Sequence, residues 1–105
     1  MTTLGTTTSI QGTLTTSIVT LYTAGAGVKE VSVAITFENY SGSSVTVEIF
    51  SNGTTDLNRI GTQPYTLLTK EMMVLFATLA PNDDIRAKAS VNTSVVYRLP
   101  AREVT

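Results

Sequence analysis

Apolar and polar residues alternate with a period of two along most of this chain. Val31, Val33, Ile35 and Phe37 are separated by Ser32, Ala34, Thr36 and Glu38. Val45, Val47 and Ile49 alternate with Thr46, Glu48 and Phe50, and Ile85, Ala87, Ala89 and Val91 with Arg86, Lys88 and Ser90. Val95, Tyr97 and Leu99 repeat the device against Ser94, Val96 and Arg98. Successive side chains of a strand point to opposite faces, so each run predicts a strand with one face turned to a core. A slip of one residue would bury charge, which pins the register. In this pattern Phe37, Phe76 and Tyr97 are expected inside, and Tyr40 and Phe50 outside.

Turn chemistry falls between the runs. A first strand from about Leu14 to Thr23 ends at Ala24-Gly25-Ala26-Gly27, which reads as a hairpin turn. The G-x-G it contains precedes a strand pattern and not a helix, so no helix dipole is there to receive a phosphate. Asn39 to Ser43, Asn52-Gly53 and Pro81-Asn82-Asp83-Asp84 supply further turns. Pro64 and Pro100 belong at strand ends or sheet edges, because neither can donate to a ladder. Strand signals at a spacing of about 8–12 residues suit a sandwich or barrel. Leu67 to Leu79, LLTKEMMVLFATL, fits either a helix of about three turns or a strand buried on both faces. The flanking prolines Pro64 and Pro81 and the all-β surroundings favour the strand.

The beginning of the chain differs. Threonine crowds it, and residues 1–12 offer only Leu4 and Ile10 beyond the initial Met for burial. β-Branched residues favour extended backbone. This stretch reads as an extended N-terminal arm followed by one β domain over 13–105, the plainer alternative being a frayed terminus.

Composition narrows the function. The 105 residues make one domain, 42% hydrophobic and 14% charged, with seven Lys and Arg against eight Asp and Glu. A net charge of −1 lacks the basic footprint of a nucleic-acid binder. With no cysteine and no histidine, thiolate or imidazole metal sites, Ser–His and Cys nucleophiles and disulfides drop out. No basic, apolar leader is seen in MTTLGTTTSI, and the apolar stretch Met72 to Ala80 is about half a membrane span. We therefore expect no membrane partner and no cofactor. Asp83-Asp84 lacks the spaced carboxylates of a calcium loop and reads as a turn. Glu38 and Glu48, on neighbouring strand patterns, read as a solvated face and not as a hydrolytic pair. Without tryptophan, a sugar platform would fall to Tyr40 and Phe50, which fit a subunit interface better. No catalytic, cofactor or metal site is expected.

One resemblance sharpens this. The run Val19-Thr20-Leu21-Tyr22-Thr23 with Gly27, then Asn39-Tyr40-Ser41-Gly42-Ser43-Ser44-Val45-Thr46-Val47, then Leu79 to Ser90 with Asp84-Ile85-Arg86-Ala87, resembles small β-sandwich virion proteins of tailed bacteriophages. It spans roughly Val19 to Leu99 and is most like head-decoration (cement) proteins, departing at Asn82 where glycine is usual. The resemblance implies an all-β fold, a single β-sandwich of jelly-roll type with an extended N-terminal arm. It implies a non-enzymatic virion protein, made in the host cytoplasm, that binds the major capsid protein and clusters with itself as a homotrimer. The arm residues Thr2, Thr3, Leu4, Thr6, Thr7, Thr8 and Ile10 would touch the capsid, and Tyr40 and Phe50 the neighbouring subunit. A neck, tail or fibre protein of the same fold, or a glycan-binding module, are the alternatives.

Overall fold

Eight strands and no helix make up the described residues, 4–53 and 64–104, of this computed structural model. They are β1 Leu4–Thr13, β2 Val19–Thr23, β3 Glu30–Asn39, β4 Val45–Ser51, β5 Tyr65–Leu67, β6 Met72–Leu79, β7 Asp84–Ala89 and β8 Val95–Val104. Two antiparallel four-stranded sheets, ordered β1-β8-β3-β6 and β2-β7-β4-β5, form a sandwich. The first strand pairs with the last, the second with the seventh, the third with the sixth and the fourth with the fifth. That nesting is compatible with a jelly roll, in which one long antiparallel ribbon is rolled into two sheets.

The inward positions of the alternating runs build the core. Val31, Val33, Ile35 and Phe37 from β3 meet Val45, Val47 and Ile49 from β4, Ile85 and Ala87 from β7, and Val95 and Leu99 from β8. Asn39, buried like Ser94 despite its polar side chain, closes one end. Its Nδ2 donates to the carbonyls of Leu67, Leu68 and Ser43, and its Oδ1 accepts from the N–H and hydroxyl of Ser41. A polar group this deep is tolerated because it has partners on both sides.

Several expectations change. The described part of the expected arm, residues 4–12, is extended and pairs along β8, with Ile10 half-buried against the core. The stretch from Leu14 belongs to the connection after β1, so the next strand starts at Val19. The Gly25–Gly27 turn is no hairpin, because β2 and β3 sit in opposite sheets. For the same reason Glu38 and Glu48 face different surfaces, and Glu48 is engaged by Lys88 at 3.0 Å. Pro100 sits in the interior strand β8, and the β3–β8 register passes from Val33/Ala101 to Thr36/Arg98 around it. A missing N–H at that point interrupts the ladder.

The ambiguous 67–79 segment splits. Leu67 ends β5, a turn follows, and β6 is a strand whose one face is open to solvent. The expectation of burial on both faces therefore holds for neither Met72, Val74 nor Phe76. Phe76, expected inside, is 77% exposed, whereas Phe50, expected outside, is 2% exposed.

Candidate functional site: the outer face of the β1-β8-β3-β6 sheet

The largest exposed apolar side chains in a row lie on β6. Its inward residues Met73, Leu75 and Ala77 pack against the core, which turns Met72, Val74 and Phe76 outward. Their cross-strand neighbours on β3 are Glu38, Thr36 and Ala34. Ala34 is too small to fill the space beside Pro100, and a depression of about 280 Å³ opens there, walled by Phe76, Ala34, Pro100 and Arg102. A second hollow of about 240 Å³ lies between Met72, Val96, Glu38 and Arg98. The face is thus apolar near the β6 edge, with Arg98, Arg102 and Glu38 set behind it.

Backbone geometry sharpens the picture of that edge. Asn39 donates its N–H to Glu71 O, while Tyr40 donates to Ser94 O. In an antiparallel pair the residues that exchange hydrogen bonds alternate with those that do not. Odd-numbered residues of β3 therefore bond to β6, and even-numbered ones to β8. On β6 this leaves Met72, Val74, Phe76 and Thr78 with their N–H and C=O groups aimed away from β3. The same reasoning applies to β1, where Leu14 donates to Val95 O, so Ser9 and Gln11 aim theirs away from β8.

The expected interface and arm residues are scattered. Tyr40 is 41% exposed at one end of the sandwich, where its hydroxyl donates to the Thr93 carbonyl and Lys70 Nζ donates to the Tyr40 carbonyl at 2.8 Å. Thr93 and Lys70 both hold positive φ, 55° and 64°. Phe50 lies elsewhere, on β4 opposite Arg86, buried and unavailable to a partner. Leu4, Thr6, Thr7, Thr8 and Ile10 fall within β1, while Thr2 and Thr3 lie outside the described residues. Sequence reasoning missed Met72, Val74 and Phe76, since a strand apolar at nearly every position carries no mark of which side is wet.

Ionisable groups are tied up in turns and ladders. Hydrogen bonds from Arg86, with a further one from the Asn52 N–H, hold the Asp84 carboxyl below the usual carboxylate range, against the opposing effect of burial. Asp83 accepts from Asn52 Nδ2 and from the Ala80 N–H, as a turn-forming side chain does. Burial, followed by its 3.1 Å hydrogen bond to Glu103, pushes the Tyr22 phenol up and links the two sheets. Among the described residues no three Asp or Glu side chains gather in a metal-binding group.

No family model and no curated protein matches this chain. Solved structures do. One is a chain of the disulfide-linked pili that form Bacillus endospore appendages, with a TM-score of 0.61 and 14% identity over 98% of this chain and 89% of that one. Another comes from the acid-stable capsid of the Helicobacter pylori bacteriophage KHP30, with a TM-score of 0.59 and 12% identity over 100% and 94% of the two chains. At these identities the likeness is one of fold.

Proposed function

We propose that this chain is a non-enzymatic structural subunit of a bacteriophage particle, a decoration protein held on the outside of the capsid. The observation that carries the reading is the outer sheet face, where Met72, Val74 and Phe76 stand open in a row along one strand. Such a patch suits assembly better than solution life. The fold shared with a phage capsid chain supports a virion setting, and the absence of cysteine argues against the disulfide-linked pilus as the closer functional model.

The major capsid protein is the partner of the N-terminal stretch, Thr2, Thr3, Leu4, Thr6, Thr7, Thr8 and Ile10. A capsid strand adds to the open edge of β1, where backbone groups provide affinity without sequence-specific chemistry. Each contact is weak, and many copies on a symmetric lattice make the later ones effectively intramolecular.

The test mixes the purified chain with particles that lack it and reads co-sedimentation. Wild type is expected to pellet with the particles. A Ser9→Pro, Gln11→Pro variant, which removes two N–H groups aimed at the open edge and none aimed at β8, is expected to stay in the supernatant with its unfolding midpoint unchanged. Equal retention of both chains would overturn the strand-addition mechanism, and failure of wild type to bind any particle would overturn the role.

A further inference from the structure

Among the described residues the two sheets leave four edges. β5 is three residues long, β2 has a register shift between Thr20 and Tyr22, and β1, the edge assigned to the capsid strand above, has one at its outer end between Leu4 and Thr7. Short strands and bulges are the usual defences against edge-to-edge pairing. β6 has neither. It pairs with β3 through eight consecutive residues without a shift, and Met72–Leu79 contains no charge, no proline and no glycine. Its edge-facing backbone groups belong to the residues whose side chains form the open apolar row.

We propose that β6 is the seam through which two copies of this chain join, edge to edge and antiparallel, about a two-fold axis at Leu75. This register uses all four edge-facing residues: Val74 meets Phe76 of the second copy, Met72 meets Thr78, and the reverse. Every free N–H then finds a free carbonyl. Because the strand is uncharged throughout, self-pairing sets no charge against its like, which a lysine or carboxylate on the edge would do. The two four-stranded sheets become one continuous sheet of eight, and the apolar row doubles in length.

Edge-to-edge pairing leaves the outer faces of Met72, Val74 and Phe76, 57%, 46% and 77% exposed, open to solvent, so the seam is held by backbone hydrogen bonds and cross-strand side-chain contacts and buries well under the ~800 Å² that each partner gives to a standard interface. The pair is therefore weak, with a dissociation constant on the order of 1–100 μM. An isologous seam closes at two copies, where the resemblance to decoration proteins implied three. The inference deepens the proposed role by naming the partner of this edge, yet it rests on the fold alone.

Sedimentation velocity on the full chain from about 1 to 500 μM, with amide hydrogen exchange at both ends of the series, tests it. A monomer–dimer equilibrium is expected, with exchange at Val74 and Phe76 slowing as the dimer fills while Leu75 and Ala77 stay protected throughout. Val74→Lys, and separately Val74→Pro at a position whose N–H faces the edge, are expected to weaken pairing by about tenfold or more with an unchanged unfolding midpoint. A monomer across the range, a trimer, or a dimer whose Val74 and Phe76 amides exchange at the monomer rate would each overturn the seam. Pairing in solution by a chain that ignores particles would keep the seam and remove the phage role. Particle binding by a strict monomer would do the reverse.

Discussion

Two phenylalanines of this chain sit in opposite environments, and truncating each in turn gives a quantitative check. Phe50 on β4 is 2% exposed, whereas Phe76 on β6 is 77% exposed. Cutting a fully buried phenylalanine to alanine removes its transfer free energy and leaves a cavity, costing about 3–5 kcal/mol. Phe76 covers little beyond the small side chain of Ala34, so Phe76→Ala falls within about 0.5 kcal/mol of wild type, as surface changes do. With a urea slope of about 1.5 kcal/mol/M for a domain of this size, Phe50→Ala lowers the midpoint by roughly 2–3 M. The midpoint of Phe76→Ala moves by roughly 0.3 M or less. Both are read by circular dichroism in a long-path cell at about 0.1 μM, below the range in which the chain is expected to self-associate. A Phe76→Ala midpoint shift as large as that of Phe50→Ala would refute the assignment of β6 as a strand with one open face. A negligible shift for Phe50→Ala would return Phe50 to the surface, where a subunit contact was expected.

Two more stability predictions follow from named contacts. Asn39→Ala strips the Leu67 carbonyl of a buried donor and frees Ser41, so it costs about 2–3 kcal/mol and speeds amide exchange in the turn after β3; wild-type midpoints would contradict the role of that amide. Asp84 has its carboxyl pKa lowered on folding, so its contribution is fully present above the unfolded value near ~4 and fades as pH falls through the lowered folded value. Wild type is therefore expected to lose its stability advantage over Asp84→Asn as pH drops from neutrality into that acid range, modestly because the pair is partly solvated; an advantage independent of pH would count against the Arg86 contact.

Where one face of a strand is wet, alternation made the element legible. The runs around Phe37, Ile49, Ile85 and Leu99 give β3, β4, β7 and β8 with the expected inward residues, save Val91, which lies past the end of β7 and is exposed. It failed where that contrast is lost. In β6 both faces are apolar, so the pattern named a strand but could not say that Phe76 points out. Ile49 and Phe50 are both buried in succession, which breaks the period of two. Alternation also says in or out without saying which sheet, and so Glu38 and Glu48 passed for neighbours. Pro100 misled for a different reason: a central strand tolerates the missing N–H at a local break in pairing. The threonines of β1 mark extended backbone without saying that β8 would pair with it.

The central claim is that this polypeptide serves a shell. Its most direct measurement is the number of copies per purified particle relative to the major capsid protein, by quantitative mass spectrometry. Decoration of the lattice predicts copies on the order of hundreds per particle, in fixed proportion to capsid subunits. A count of a few to a few dozen would move the chain to the neck, tail or fibres, and its absence from particles would contradict the account.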